Sequence, residues 1–381
     1  MSRLTRHLSP LSALLFAALA AAPLFSNSGF LFTHGEGESA FLLVRLQQLI
    51  EALRAGQFPA RWMPDAALGY GYPFFNYYAS FPYYLAALLK AYGFSFVLAL
   101  KLTQLAGLLV AAGGVYGWVR SLTGSPAQAW LASAAYTFAP FHLVNLYLRG
   151  DSLSELWAMA LYPLTLWSAQ RCLQRPGFRQ AFALAASVAL LILTHNISAL
   201  NFMPFLALYL ALAGWVTGSR WRFASGVLAL AWGLLLSAFF WLPALREIRH
   251  VQIGGLTEGF FFYGNHFRSR DLIQPTLFFN FEAGANRPTP FSMGLVQALV
   301  AGAGLGVMVG RWIRARRVTW FDVFTCLGFA LSTFMITPLS AWFWAHLPLV
   351  HFAQFPWRFL SIQSLFVALL ISRLAPGQSP I

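Results

Sequence analysis

Two carboxylates spaced by a single residue, Glu36 and Glu38, stand in the stretch FLFTHGEGESAF at residues 31–42, directly behind the first apolar run, with glycines at 35 and 37. On an extended backbone, side chains two apart share a face, so the pair can act together as a general base, a cation site or a base with a supporting acid. The flanking glycines favour such a non-helical backbone. The other reading makes Glu38 and Ser39 the cap of a following helix, where a carboxylate offsets the helix dipole. A second acidic cluster occurs in YLRGDSLSELW: Asp151 as N-cap and Glu155 four residues on would share one helix face, with Arg149 adjacent. LTHNISAL contributes His195, read either as a site residue or as a satisfied interface histidine. FAQFPWRFL contributes Arg358, which can pair with a lipid phosphate or anchor its helix among headgroups.

These acids are conspicuous because the chain has only 11 Asp and Glu in 381 residues, against 25 Lys and Arg. With 59% hydrophobic and 9% charged residues, where soluble proteins carry about a quarter charged, the composition is that of a polytopic membrane protein. The net charge of +14 does not indicate nucleic acid, because the basic residues are scattered singly between apolar runs. Cys172 and Cys326 are not placed for a disulfide, and no Cys/His spacing suits zinc. MSRLTRH followed by LSALLFAALAAAPLF reads as a retained signal anchor.

The elements that must position the acids follow from ten apolar runs of bilayer-crossing length, near 10–28, 97–118, 127–147, 152–170, 180–195, 198–217, 223–243, 291–310, 318–337 and 355–372. Arginines in short loops stay cytoplasmic. That rule places Arg120, Arg171, Arg175, Arg179, Arg220, Arg222, the RWIRARR loop, Arg373 and both termini inside, provided that 76–93 does not cross. This Tyr-rich run, interrupted by Pro82, is therefore expected to be interfacial or re-entrant. Ten of the eleven acids then fall on the outer side, Asp322 excepted, although acids contribute little to the rule. The expected organisation is a single all-α transmembrane domain over 1–381, with outer loops at 29–96 and 244–290, six spans at 97–243 and three at 291–373. Within the first loop, Leu42, Leu46, Leu49, Ile50 and Leu53 form one stripe against Arg45, Gln48, Glu51 and Arg54, the period of a helix lying in the interface and ending at Gly56.

The run GQFPARWMPDAALGYGYPFFNYYASFPYYLAALL, followed in order by RGDSLSE, LTHNISAL, FFWLPAL and FQFPWRFL, resembles the bacterial membrane proteins labelled 6-pyruvoyl-tetrahydropterin synthase-related, over most of the chain. The His-rich zinc site that soluble pterin synthases need is missing from the sequence. The family in turn resembles the GT-C glycosyltransferases, which move a sugar from a polyprenyl-phosphate donor to an acceptor on the outer face of the membrane. That resemblance implies a GT-C-like fold of about ten transmembrane helices in the bacterial inner membrane. It places the first-loop acid on Glu36 or Glu38 and the second on Asp151 or Glu155. It departs at the first loop, where an Asp and a nearby His are expected and Glu, Leu42 and Leu43 occur. Longer relatives also carry an outer soluble domain, whereas this sequence ends at SRLAPGQSPI.

The function expected from these features is that of an inverting membrane glycosyltransferase. Glu36 or Glu38 would be the base on the acceptor hydroxyl, and Asp151 and Glu155 would orient the acceptor or hold a cation. Arg149, Arg358 and Arg45, with His195 and Tyr70, would contact the donor and its phosphate. Mg²⁺ or Mn²⁺ at Glu36, Glu38 and Asp151 is optional. The implied partners are the lipid bilayer, a polyprenyl-phospho-sugar and a glycan, lipid or protein acceptor. Two other readings are a transporter or lipid flippase, which would bury an acid at mid-membrane, and a non-catalytic subunit of a glycan-assembly system.

Overall fold

The computed structural model describes residues 9–30, 38–149, 152–252, 255, 257–282, 290–347 and 349–376. Glu36 and Asp151 lie outside these residues, and Glu38 is described in its backbone alone. Regular structure among the described residues is helical, apart from isolated bridges such as Met63 to Tyr72.

Helix α1 (Pro10–Ala21) opens with Pro10 behind the cap Ser9 and runs into a 3-10 turn at Ala22–Phe25. Helix α2 (Glu38–Arg54) buries Leu42, Leu46 and Leu49 of the expected stripe together with Ala52, leaves Ile50 and Leu53 partly buried, and buries Gln48, which the pattern put on the polar face; the chain turns away at Gly56 with φ of 81°. The Pro/Gly-rich segment after it is pinned to α2 by Gln48, whose amide donates to Asp65 Oδ2 at 3.0 Å and accepts from the Asp65 N–H at 2.8 Å. Two short helices follow, α3 (Phe74–Tyr77) and α4 (Phe81–Ala91). Eleven residues rise roughly 16 Å, about half a hydrocarbon core.

The bundle proper comprises α5 (Phe96–Thr123), α6 (Pro126–Thr137) and α7 (Pro140–Tyr147), broken at Ala139, then α8 (Leu153–Gln174), α9 (Phe178–Thr194), α10 (Asn196–Thr217) and α11 (Arg220–Leu236) with α12 (Ala238–Glu247). After the second long loop come α13 (Leu295–Ala315), α14 (Trp320–Ile336), α15 (Ala341–His346) and α16 (Leu360–Ser372). These helices coincide with the ten apolar runs. By length and apolarity, α5, α10 and α13 each suffice to cross a bilayer, and the bent pairs α11–α12 (64°) and α14–α15 (87°) raise the number to five. The remaining runs form helices that are shorter, broken or less apolar, so ten full-length crossings do not emerge from length and composition alone.

The core centres on α8 and α16. Every residue of α16 is buried. Its neighbours approach so closely that a Cβ on Gly304 of α13 would lie 2.0 Å from the Leu370 carbonyl oxygen, and one on Gly328 of α14 would lie 2.0 Å from the Phe366 ring. Small residues at such crossings are how helices associate where lipid is as apolar as leucine. One end of the bundle is closed by Asp322, which completes a capping box with Thr319 and pairs with Arg373 at 2.7 Å. At that same end Ser125 and Gln128 donate to the carbonyls of Pro376 and Ala375. The two cysteines are free thiols, Cys172 buried and Cys326 partly so.

Candidate functional site

The site lies at the opposite end and is built around Glu155, in the first turn of α8. The cap position is Ser152, one residue later than the expected cap at Asp151, and its hydroxyl donates to the carbonyls of Asn145 and Arg149. This ties the start of α8 to the end of α7 and keeps Arg149 beside Glu155. Glu155 is 2% exposed, and its Oε2 pairs with Arg149 and lies 3.8 Å from Arg358 Nε. Arg149 also donates to Asn145 Oδ1 at 2.7 Å and lies over the Trp357 ring at 5.1 Å. Arg358 donates to the Ala353 carbonyl at 2.9 Å and stacks over Phe355 at 5.0 Å. A carboxylate this buried persists as an ion only when paired, and here two guanidinium groups from separate segments converge on it. Its Oε1 accepts no hydrogen bond from the described residues.

His195 occupies the break between α9 and α10, within electrostatic reach of Glu155. Its Nδ1 accepts from the Ser198 N–H at 3.2 Å and lies 2.7 Å from the Ser198 hydroxyl, so His195 caps α10. Nδ1 acting as acceptor assigns the ring proton of the neutral form to Nε2. The His195 ring meets Tyr78 edge-on at 6.3 Å, and Tyr78 in turn carries Arg45, whose guanidinium lies 5.0 Å from the Tyr78 and Phe74 rings. Arg45 also donates to the Tyr83 hydroxyl. The first loop docks on the helix starts through two more bonds, Ser154 to the Ala79 carbonyl and Asn196 to the Tyr77 carbonyl, both 3.2 Å. Glu38 opens α2, two turns before Arg45.

The second long loop covers Trp357. Phe291 stacks on Trp357 at 4.0 Å, Phe355 stacks on it at 4.8 Å, and Phe260, Phe261 and His266 pack edge-on against Phe355. Burial, with Arg268 adding to it, lowers the His266 pKa below its ordinary value. Arg268, itself buried, ties this loop down through the carbonyl of Phe291 and its own N–H to the carbonyl of Ile336.

Of the sequence-predicted site residues, Arg149, Glu155, His195 and Arg358 gather into one cluster, and Arg45 joins it through Tyr78. Tyr70 is 89% exposed and its hydroxyl makes no hydrogen bond among the described residues. Glu36 and Asp151, with the Glu38 side chain, lie outside the described residues, and so does the cation site drawn from them. Among the described residues no three His, Cys, Asp or Glu side chains come together as a metal site. Sequence reasoning missed Asn145, Tyr78 and the linked trio in which Arg61 donates to Asn76 (2.6 Å) and Asn76 to Glu247 (2.8 Å). Asn145 was legible only in part, since it lies four residues before Arg149 but Arg149 falls beyond the end of α7. The trio was not, because its partners are 171 residues apart.

An all-helical bundle with apolar spans and a polar cluster at one end defines a polytopic membrane protein. The model of the 6-pyruvoyl-tetrahydropterin synthase related domain, a membrane protein family, matches residues 75–378, and the chain belongs to that family. A Lactococcus lactis subsp. cremoris (strain MG1363) protein described only as uncharacterized is 25% identical over 244 residues, which cover 62% of this chain and 39% of that one. Two solved structures of the Archaeoglobus fulgidus oligosaccharyltransferase share 14% identity. The apo form gives a TM-score of 0.48 over 95% of this chain and 50% of that chain. The complex with an inhibitory peptide and a dolichol-phosphate gives 0.49 over 97% and 50%. A likeness of that degree does not carry function. The chain spans about two fifths to one half of the length of these proteins.

Proposed function

We propose that this chain is a GT-C-like membrane glycosyltransferase that transfers a sugar from a polyprenyl-phosphate donor to an acceptor at the extracytoplasmic face of the bacterial inner membrane. The observation that carries the reading is the convergence of Arg149 and Arg358 on the buried carboxylate of Glu155, beside His195 and beneath the interfacial first loop. Guanidinium groups suit a phosphate through parallel N–H donors, and charge develops on the donor phosphate as the glycosidic bond breaks. In the proposed step the acceptor oxygen attacks the anomeric carbon and its proton passes to Glu36 or Glu38. The bond to the phosphate oxygen breaks, and polyprenyl phosphate leaves with its electron pair between Arg149 and Arg358.

Glu155 acts here as a positioning residue. With Oε2 engaged by both arginines it orients them rather than the acceptor, a role different from the one expected of it. The sequence places ten acids, the first loop and the site on one side, and the arginine-rich short loops on the other, which supports the extracytoplasmic assignment. A carrier would place an ionisable group at mid-membrane, and Glu155 is only the third residue of α8.

Purified protein in lipid, offered a panel of polyprenyl-phospho-sugars together with a mixture of glycan, lipid and peptide hydroxyl acceptors, should release polyprenyl phosphate and glycosylate an acceptor. Arg149→Gln and Arg358→Gln should each lower kcat by about 10²–10³, as loss of one charge-stabilising donor does. Glu36→Gln or Glu38→Gln should abolish turnover while leaving donor binding intact. Folded wild-type protein that binds and consumes none of the donors, or variants that match it, would overturn the proposal.

A further inference from the structure

At the end of the bundle away from Glu155, the start of α9 and the stretch of α11 from Trp221 to Trp232 enclose an open groove of about 240 Å³ lined by Phe178, Ala181, Trp221, Leu228, Trp232 and their neighbours. Its walls are apolar and outward-facing: Phe178 is 76% exposed and Trp221 68%. Seventeen residues of α9 separate it from His195, roughly 25 Å along the helix, so it is distinct from the site described above.

The rim is cationic. Arg175 and Arg179 bracket Pro176–Gly177–Phe178, and Arg220 and Arg222 bracket Trp221. None of the four makes an ion pair with a carboxylate among the described residues. The sequence supplies no such partner locally, since no Asp or Glu occurs between Glu155 and Glu247. The acid that opens α14, Asp322, is already paired with Arg373.

Arginines meant only to set topology would stand anywhere in the short loops. Here four of them are sequence neighbours of the residues that line a groove whose aromatic walls are exposed. A soluble anion would leave the walls uncovered, and a zwitterionic lipid would not use the surplus of positive charge. We propose that this groove binds an anionic phospholipid, its phosphate held by Arg175, Arg179, Arg220 and Arg222 and one acyl chain lying against Phe178, Trp221 and Trp232. Basic recesses between spanning helices are suited to such headgroups.

The test is lipid retention by the full-length purified chain in native mass spectrometry, titrated with dioleoyl phosphatidylglycerol or dioleoyl phosphatidylcholine. The wild type should retain phosphatidylglycerol at least 10-fold more tightly. Arg179→Gln combined with Arg220→Gln should weaken phosphatidylglycerol about 30-fold, two charges at the strength of a basic residue near a membrane surface, and leave phosphatidylcholine unchanged. Trp221→Ala with Trp232→Ala should weaken both lipids. Arg314→Gln with Arg316→Gln, a charge-matched control on α13 and the residue after it, should change neither, and thermal unfolding verifies that each variant is folded. Equal retention of the two lipids, an equal loss in the control, or full displacement of phosphatidylglycerol by millimolar inorganic phosphate would each overturn the proposal.

Discussion

Removing the Arg149 guanidinium separates a site ion pair from a surface one by magnitude. Glu155 is 2% exposed and Arg149 14%, whereas Arg54 and Glu51 on α2 pair at 2.9 Å with side chains 71% and 36% exposed. Breaking a buried pair by deleting one partner costs about 3–5 kcal/mol, because the remaining charge stays desolvated. An exposed i,i+3 pair is worth only about 0.3–0.5 kcal/mol. Arg149→Met removes the donor to Asn145 but leaves Glu155 with Arg358 at 3.8 Å, so the loss should fall at the lower end of that range, about 3 kcal/mol. The double variant Arg149→Met/Glu155→Leu should recover much of it, giving a coupling energy of about 2–3 kcal/mol. The assay is a double-mutant cycle on reversible unfolding of the reconstituted protein, with Arg54→Met/Glu51→Leu measured in parallel. A coupling below about 0.5 kcal/mol at Arg149 and Glu155, indistinguishable from the surface pair, would refute the electrostatic account of the cluster.

Three further outcomes are expected. Gly304→Val should destabilise the protein by about 1–3 kcal/mol or more in thermal unfolding, since even a Cβ there meets the Leu370 carbonyl oxygen at 2.0 Å, while Gly302→Val, with open space, should be near neutral. The packing of the second loop should be pH-dependent. The folded pKa of His266 is depressed, so its contribution is complete above about pH 6.5, the unfolded value, and is lost as pH falls from there toward the folded value. Tryptic cleavage at Arg270 should rise over that window in the wild type and stay flat in His266→Gln. For the proposed orientation, membrane-impermeant thiol reagents should label Gln57→Cys from outside and Arg175→Cys only after permeabilisation, and the reverse pattern would overturn it.

The helices were legible because the signals for them are local. The stripe of Leu42, Leu46 and Leu49, Ser125–Pro126 at the start of α6 and Thr319 with Asp322 at the start of α14 all announce themselves within a few residues. The site was half legible. Arg149 and Glu155 belong to one turn, but their meeting with Arg358, 203 positions later in the chain, and with Arg45 through Tyr78 depends on helix packing that no periodicity encodes. The break at Ala139 has a local signal in Pro140, which opens α7. The break at Ser237 was hidden, because apolar composition continues across it and only the tertiary setting decides whether the helix follows it.

The central claim is that Arg149 and Arg358 hold the phosphate of a lipid-linked donor. A photoactivatable polyprenyl phosphate, cross-linked in membranes and mapped by peptide mass spectrometry, tests it most directly. Saturable labelling is expected in the peptides that carry residues 145–160 and 352–362. Arg149→Gln/Arg358→Gln should abolish that labelling, and excess phosphatidylglycerol should leave it unchanged. Labelling absent from both segments, or undiminished in the double variant, would contradict the account.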